Sequence, residues 1–254
     1  MTRWKLTIEY KGAEFSGWQR QDNVPSVQQE IETALHKFCQ QEITIQAAGR
    51  TDAGVHAWGQ VAHFDLDYGD RDLKGFDLAK ALNAHLRPNA ISIVKAEPVG
   101  QDFHARFSAI NKLYRYRILN RSAMPAVEQG LAWHLKKPLD VKAMQESAKV
   151  LVGHHDFTTF RATTCQSKSP VKTLDRFDIT SRPYENEGVE IIFEVEGRSF
   201  LHHQVRNMVG TMILVGEGKW SAADVKEALE ACDRTRGGIT APSDGLYLVR
   251  VDYT

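Results

Sequence analysis

The sequence has few cysteines and no long apolar run. Its 254 residues include three cysteines, Cys39, Cys165 and Cys232, an odd number at wide spacing with no C-x-x-C pair. This pattern supports neither a disulfide framework nor a zinc site. No stretch approaches the run of about 18 apolar residues that a membrane-spanning helix needs, and the N-terminus lacks the apolar core of a signal peptide. We therefore expect a cytoplasmic protein with reduced thiols.

Net charge and nucleotide-binding motifs are lacking as well. Lys+Arg and Asp+Glu both number 32, so the formal net charge is zero, and the total charge gives no argument for binding nucleic acid or membrane. The patterns G-x-x-x-x-G-K-[ST], G-x-G-x-x-G and G-x-S-x-G do not occur, which leaves nucleotide cofactors and serine hydrolases without support. Any argument for function must therefore come from local segments.

Hydrophobic periodicity predicts an α+β fold. Alternating or strand-forming residues predict strands, and apolar residues at helical spacing, several behind capping residues such as Ser26, Asp140 and Ser221, predict helices. The predicted strands are 3–10, 42–48, 60–66, 90–96, 171–181, 188–196 and 245–253, and the predicted helices are 26–40, 76–86, 140–153, 201–218 and 221–232. We expect two similar halves, 1–108 and 109–254, each a largely antiparallel sheet with helices on one face, and an active-site cleft between them.

The stretch "AAGRTDAGVHAWGQVAHFD" (47–65) places Asp52 on a connection between two predicted strands. Gly49 and Gly54 allow backbone angles that other residues avoid, which predicts a tight, shaped loop. Such a loop either turns the chain or presents a functional group. Taken alone it favours a turn in which Thr51 or Asp52 bonds backbone amides.

The segment 103–122 is basic and carries no acid. Its basic residues are Arg106, Lys112, Arg115, Arg117 and Arg121. In "KLYRYRIL" strand alternation puts Tyr114 and Tyr116 on one face and Arg115 and Arg117 on the other. Arginines beside exposed aromatic rings suit phosphates and stacked bases, although this segment alone favours a plain edge strand with solvated arginines.

Two adjacent histidine pairs, His154–His155 and His202–His203, are weak candidates for metal ligands. Neighbouring side chains point apart on a strand and splay on a helix, and no cysteine or carboxylate cluster completes either pair. Core or capping roles are favoured.

Six segments occur together in one order: "FSGWQRQ" with "SVQQEIE", "GRTDAGVHA", "FHARFSAINKLYRYRI", "GHHDFTTF", "FLHHQVRNMVGTMILVGEG" and "APSDGLYLVRVDY". Together they cover nearly the whole chain and closely resemble the tRNA pseudouridine synthase A family. Departures are small, since Ser26 stands where the family usually has Thr and Thr159 where Ser is common. Both changes keep a hydroxyl.

The resemblance implies an enzyme that isomerises uridine to pseudouridine in the anticodon stem-loop of tRNAs, at positions 38, 39 and 40. The family's catalytic aspartate, a nucleophile, falls on Asp52. Its aromatic pocket residue, which stacks on the base and assists proton transfer, falls on Tyr114, and the arginine that pairs with the aspartate falls on Arg206. Attack at C6, attack at C1′ and a glycal route all use the same aspartate and stay open.

The resemblance also implies substrate-binding residues. The arginine thought to enter the RNA stack as the base leaves falls on Arg50, and an apolar pocket residue falls on Leu246. Arg106, Arg115 and Arg117 are candidates for phosphate contacts, against ordinary solvation. We expect no cofactor and no metal, since an isomerisation needs neither, and we expect a homodimer with tRNA as its partner. Two alternatives are a synthase for other RNA positions and a non-catalytic RNA-binding protein or chaperone.

Overall fold

The computed structural model describes residues 1–69, 72–185 and 187–254. These residues divide into two compact units, one of residues 1–110 with 247–254 and the other of residues 111–246. The boundary after residue 110 lies close to the predicted one after 108. The closing residues 247–254 group with the N-terminal unit instead of the C-terminal half, because Tyr247 and Leu248 pair in parallel with His56 and Ala57.

Within the described ranges the chain forms eleven strands and five α-helices, an α+β fold as predicted. The strands are β1 (Thr2–Tyr10), β2 (Gln46–Ala47), β3 (His56–Leu66), β4 (Ile91–Val99), β5 (Ala109–Asn120), β6 (Trp133–Leu135), β7 (Gly153–Asp156), β8 (Val171–Leu174), β9 (Arg176–Pro183), β10 (Val189–Gly197) and β11 (Leu246–Tyr253). The helices are α1 (Val27–Cys39), α2 (Gly75–Leu86), α3 (Val141–Ala148), α4 (Gln204–Gly216) and α5 (Ala222–Glu230). Among the described residues, no helix has the length and apolar character to cross a membrane.

The first unit is built on an antiparallel sheet. β1 pairs with β3 on one side and β4 on the other, and β2 pairs with β3. The register aligns Tyr10 with Ala57 and Lys5 with His63. α2 packs on β4 and on α1, and apolar side chains of the sheet and both helices are fully buried, among them Leu6, Ile8, Ile31, Leu35, Leu78 and Leu82. This core holds β3, which begins where the connection with Asp52 ends.

The second unit has a similar plan. β10 pairs antiparallel with β5 and β9, β6 adds in parallel to β5, and β7 and β8 form a separate two-stranded sheet. α3 packs on β9, α4 and α5. The buried side chains include Tyr116, Phe157, Phe160, Phe193, Met208 and Met212. α4, predicted as a buried helix, is buried along nearly its whole length.

Three predicted caps are confirmed. The side chains of Ser26, Asp140 and Ser221 accept hydrogen bonds from the backbone amides of Gln29, Ala143 and Asp224, one turn into α1, α3 and α5 respectively. Each cap satisfies an amide that a helix start leaves without a partner. Capping residues therefore located these helix starts correctly from sequence.

Some predicted elements were wrong in extent. The strand expected over 42–48 is reduced to Gln46–Ala47, because side chains of α1 take the backbone groups of Ile45: Glu32 accepts from its amide at 3.1 Å and Gln28 donates to its carbonyl at 3.4 Å. The strand expected over 171–181 is two strands with different partners, β7 for β8 and β10 for β9. α4 begins at Gln204 instead of 201, since His203 has a left-handed backbone with φ of 62°.

Candidate active site

Asp52 lies on the connection between β2 and β3, as predicted, and it is half-buried. Backbone contacts fix this connection on both sides of the carboxylate. The amide of Trp18 donates to the carbonyl of Thr51 at 3.0 Å, and the amide of Val55 donates to the carbonyl of Asp52 at 3.2 Å. The amide of Gly54, whose φ is +78°, donates to the carbonyl of Phe15.

A buried pair of hydroxyls anchors the connection to β1. The hydroxyls of Tyr10 and Thr51 share a hydrogen bond of 2.7 Å, and both residues are buried. Burial raises the pKa of Tyr10 to about 12, although hydrogen bonds with Thr51 and Gln60 act in the opposite direction. Tyr10 therefore stays a neutral phenol across the physiological range and holds the residue directly before Asp52.

The chain packs so closely here that two positions need glycine. A Cβ on Gly17, where φ is +97°, would lie 2.7 Å from the carbonyl oxygen of Thr51. A Cβ on Gly12 would lie 2.0 Å from the carbonyl oxygen of Val55. Real Cβ atoms do not approach backbone atoms to these distances, so the segment 12–18 can lie against residues 51–55 only because both positions are glycine. The backbone around Asp52 is consequently restricted from two directions.

Arg206 lies in the first turn of α4, and its guanidinium is oriented by the backbone of a neighbouring loop. Its Nε donates to the carbonyl of Ala241 at 2.7 Å, while the amide of Ala241 donates back to the carbonyl of Arg206 at 3.2 Å. The next residue, Asn207, donates to the carbonyl of Phe160 at 2.8 Å and accepts from the hydroxyl of Thr240 at 2.7 Å. Loop 237–242 is therefore fastened to α4 by two of its residues, Ala241 at Arg206 and Thr240 at Asn207.

Tyr114 and Leu246 belong to the second unit and are both largely buried, at 8% and 6% exposure. Tyr114 lies on β5 opposite Val195 of β10. Its ring meets that of Phe200 edge to face, with centroids 5.1 Å apart. Tyr116, on the same face of β5, is fully buried and donates its hydroxyl to the carbonyl of Pro242 at 2.8 Å. The favoured interpretation of this segment as a plain edge strand was wrong, since β5 pairs with both β10 and β6. The alternative of exposed aromatic rings does not hold either, because packing within the sheet covers both tyrosines.

The basic residues of 103–122 have different environments. Arg115 pairs with Glu194 at 2.5 Å, and Arg117 pairs with Glu190 at 2.7 Å and Glu128 at 2.9 Å. Burial alone would raise the pKa of Glu190, but hydrogen bonds from Arg117 and Arg182 hold it below its ordinary value. The acids that balance this segment thus come from β10 and from Glu128.

Arg50 and Arg106 are exposed. Arg50 lies two residues before Asp52, and Arg106 lies in the turn that leads to β5. Both guanidinium groups are at positions where a nucleic acid could meet them, in contrast to the glutamate-bound side chains of β5.

The histidine pair His202–His203 does not splay as expected. The two residues precede α4 instead of lying on it, and their ring centroids are 4.0 Å apart. The left-handed backbone of His203 brings the adjacent rings together, and no sequence pattern indicated this conformation. His154 and His155 lie on β7, where their side chains alternate.

Several residues that support the site were missed from sequence. Tyr10 is 41 positions from Thr51, and Thr240 is 33 positions from Asn207. No local spacing links such pairs. One signal was the stretch "GGITAP", whose second glycine permits the close approach of this loop to α4: a Cβ on Gly238 would lie 2.7 Å from the backbone nitrogen of Thr211.

Comparison with known proteins decides the family. The family model described as tRNA pseudouridine synthase matches residues 6–108 and 147–254. The chain belongs to the tRNA pseudouridine synthase family. Family membership confirms the predicted class of activity, an isomerase that converts uridine to pseudouridine in tRNA.

Similar relatives match over the full chain. The tRNA pseudouridine synthase A of Paramagnetospirillum magneticum is 55% identical over 254 residues, which cover all of this chain and 96% of the relative. The proteins of the same name from Rhodospirillum rubrum and Rhodospirillum centenum are each 52% identical over 253 residues, which cover all of this chain and 88% and 100% of the relatives. The family relationship therefore extends to both units.

Proposed function

We propose that this member of the family isomerises uridines at positions 38, 39 and 40 in the anticodon stem-loop of tRNAs, with Asp52 as the nucleophile. The observation that carries the proposal is the restricted backbone around Asp52, fixed by Trp18, Val55 and the buried hydroxyls of Tyr10 and Thr51. A loop that only turned the chain would need no such restraint. Fixed position is what a nucleophile requires.

The reaction gives the carboxylate a definite task. Uracil must leave C1′ of the ribose and return through C5, and an ionised carboxylate can attack C6 or C1′, or stabilise charge on a glycal route. Each route begins with a carboxylate held against the nucleotide. The isomerisation transfers no electrons and no group to a second molecule, so the proposal includes neither cofactor nor metal.

Arg206 is proposed as the ion-pair partner of Asp52. A guanidinium binds a carboxylate through two parallel N–H donors and fixes its orientation. Because the Nε–H of Arg206 is used by the carbonyl of Ala241, the two terminal nitrogens are the donors that would meet the carboxylate. Replacement by lysine would remove both the planar pair of donors and the bond to Ala241.

Tyr114 is proposed to stack on the target base and to take part in proton transfer at C5, with Leu246 as an apolar wall. Contact with Phe200 limits the rotation of the Tyr114 ring, which favours a fixed stacking surface. Its hydroxyl supplies a group that can hold or pass a proton.

The target base must leave the RNA stack, at a cost of a few kcal/mol. Arg50 is proposed to enter the space that the base leaves, since Arg50 is exposed and lies two residues before Asp52. Arg106 is proposed as a phosphate contact. Arg115 and Arg117 stay predicted phosphate contacts, although RNA would compete there with Glu194, Glu190 and Glu128. We also propose a homodimer acting in the cytoplasm.

The test is to map pseudouridine in unmodified tRNA transcripts after incubation with the protein. Transcripts carry uridine at only one of positions 38, 39 or 40, and a matched control carries cytidine at all three with its other uridines intact. The proposal expects modification at each of the three positions and none in the control. Modification of the control at the same rate would contradict the assignment to the anticodon stem-loop and place the activity elsewhere in tRNA.

A further inference from the structure

We propose that Phe107 and Arg106 form a second RNA contact, a platform on which an unpaired base of the tRNA stacks while Arg106 binds the adjacent phosphate. Phe107 is 70% exposed. The guanidinium carbon of Arg106 lies 5.7 Å from the centroid of its ring. The ring of His104 packs on one side, with ring centroids 4.3 Å apart, and most of the Phe107 side chain is still exposed. An exposed aromatic ring beside a cation is the combination that binds single-stranded RNA.

The turn that presents these two side chains, residues 104–108, is held firmly by His104. The amide of His104 donates to the hydroxyl of Ser108 at 3.0 Å, and the amide of Ser108 donates to the carbonyl of His104 at 2.9 Å. The Nδ1 of His104 accepts from the amides of Arg106 at 3.1 Å and Phe107 at 3.3 Å. Its Nε2 therefore carries the proton and donates to Gln46 at 2.9 Å.

The middle of the turn is fastened to the sheet through both backbone polar groups of Ala105. The amide of Ala105 donates to Nδ1 of His63 at 3.2 Å, and the hydroxyl of Tyr253 donates to the carbonyl of Ala105 at 2.7 Å. Scattered exposed apolar residues are ordinary on protein surfaces. An exposed ring on a turn with this number of restraints is preorganised, which lowers the entropy lost when a base stacks on it.

Charge favours RNA as the occupant. Residues 103–110 contain no acid. The acid just before them, Asp102, interacts with Arg3, whose guanidinium also binds Asp65 at 2.8 Å and the carbonyl of Phe103 at 3.0 Å. Arg3 thus offsets part of the charge of these two carboxylates, and Arg106 on the acid-free turn remains to attract phosphate.

The stacked base is not the uridine that reacts. The turn is attached to β3 at His63, whereas the connection with Asp52 ends at His56, seven residues away along an extended strand, or roughly 23 Å at 3.3 Å per residue. This separation along β3 favours different nucleotides for the two places. The platform therefore binds another part of the same tRNA and contributes to affinity instead of to the chemical step.

This inference rests on tRNA being the substrate and not on which uridine is modified. The test measures equilibrium binding of an unmodified tRNA transcript by the full chain, without turnover. Phe107→Ala is expected to weaken binding by about 5- to 150-fold, the range for one base stacked on an aromatic side chain, and to raise KM in parallel with little change in kcat. Phe107→Trp is expected to retain binding, and Phe107→Leu to behave like Phe107→Ala.

Salt dependence separates the two side chains. Arg106→Gln is expected to reduce the slope of log K against log[salt] by about 0.7–0.9, the effect of one lost phosphate contact, whereas Phe107→Ala is expected to leave the slope unchanged. Phe76→Ala is the matched control, because Phe76 is 77% exposed in the same unit. It should bind tRNA like the wild type.

Three results would contradict the proposal that Phe107 and Arg106 bind RNA. They are tRNA affinity of Phe107→Ala within twofold of the wild type, an equal loss for Phe76→Ala, or a loss explained by a changed oligomeric state in gel filtration, which would make this surface a contact between copies of the chain. Modification by the wild type at positions other than 38–40 would contradict only the proposed function, since the binding measurement does not depend on it.

Discussion

The hydrogen bond between Tyr10 and Thr51 gives the sharpest test of how the segment that carries Asp52, residues 48–55, is held in place. Both hydroxyls are buried and 2.7 Å apart. Tyr10→Phe leaves the Thr51 hydroxyl without that partner, whereas Thr51→Val leaves the Tyr10 hydroxyl with Gln60, so the larger loss is expected for Tyr10→Phe. Leaving one buried hydroxyl without a partner costs about 1–3 kcal/mol of unfolding free energy. At about 2 kcal/mol, a protein of this length would lose about 4–8 °C in Tm.

The double variant, Tyr10→Phe with Thr51→Val, tests whether the two hydroxyls stabilise the protein as a pair. When both hydroxyls are replaced by apolar groups of the same shape, neither is left unpaired, and Gln60, which also bonds Tyr10, keeps its bonds to the carbonyl of Gly49 and the amide of Val61. Most of the loss should therefore be recovered. Urea unfolding of the two single variants and the double variant should give a coupling energy of about 1–2 kcal/mol. Each single variant should also lower kcat in a tritium-release assay, because Thr51 precedes Asp52.

The control is Thr44→Val, which removes an exposed hydroxyl from the same unit and should change neither stability nor kcat. If the losses of unfolding free energy in the two single variants simply add up in the double variant, and if kcat is unchanged in both single variants, then this buried pair does not hold the segment that carries Asp52.

Two further predictions concern pH. Burial, followed by the nearby His104, lowers the pKa of His63 below 6.5, so the unfolded chain binds a proton at this residue before the folded chain does, and stability should fall as pH decreases below about 6.5. His63→Gln should flatten that part of the stability curve measured by urea unfolding. Glu190, held at a lowered pKa between Arg117 and Arg182, should contribute stability above pH 4.5 that is lost as the pH falls further. Glu190→Gln should cost about 1–3 kcal/mol at pH 7 and less at acid pH.

Exposed residues of the same types serve as controls. His85 on α2 is exposed, and His85→Gln should leave the pH dependence near 6.5 unchanged. Glu146 pairs with Lys149 on the surface, where such pairs contribute little, so Glu146→Gln should change stability by less than about 0.5 kcal/mol. A His63→Gln curve parallel to the wild type, or a Glu190→Gln loss no larger than that of Glu146→Gln, would contradict these assignments.

Local signals in the sequence located most elements of the fold. Ser26, Asp140 and Ser221 marked helix starts because a cap is a contact within one helical turn. Ile45 looked like part of a strand, yet its backbone groups bind Glu32 and Gln28 from α1, a contact between distant segments. The sequence likewise could not reveal that Arg115 and Arg117 are balanced by Glu194 and Glu190 from another strand.

At the candidate site, too, local features could be predicted from the sequence and contacts between distant segments could not. Gly49 and Gly54 predicted a shaped loop around Asp52, and the structure has one. Its restraints come from Tyr10, Trp18 and Gly17, which lie on other elements and carry no recognisable spacing relative to Asp52. The order of six segments that resemble the family indicated it, whereas the restraints that make the loop rigid required coordinates.

The most direct test of the central claim compares the wild type with Asp52→Asn on tRNA that carries uridine tritiated at C5. Amide replacement keeps the size of the side chain and removes the nucleophilic carboxylate. The account predicts tritium release by the wild type, no release by Asp52→Asn, and similar tRNA affinity for both. Release by Asp52→Asn at the wild-type rate would contradict the assignment of Asp52 as the nucleophile.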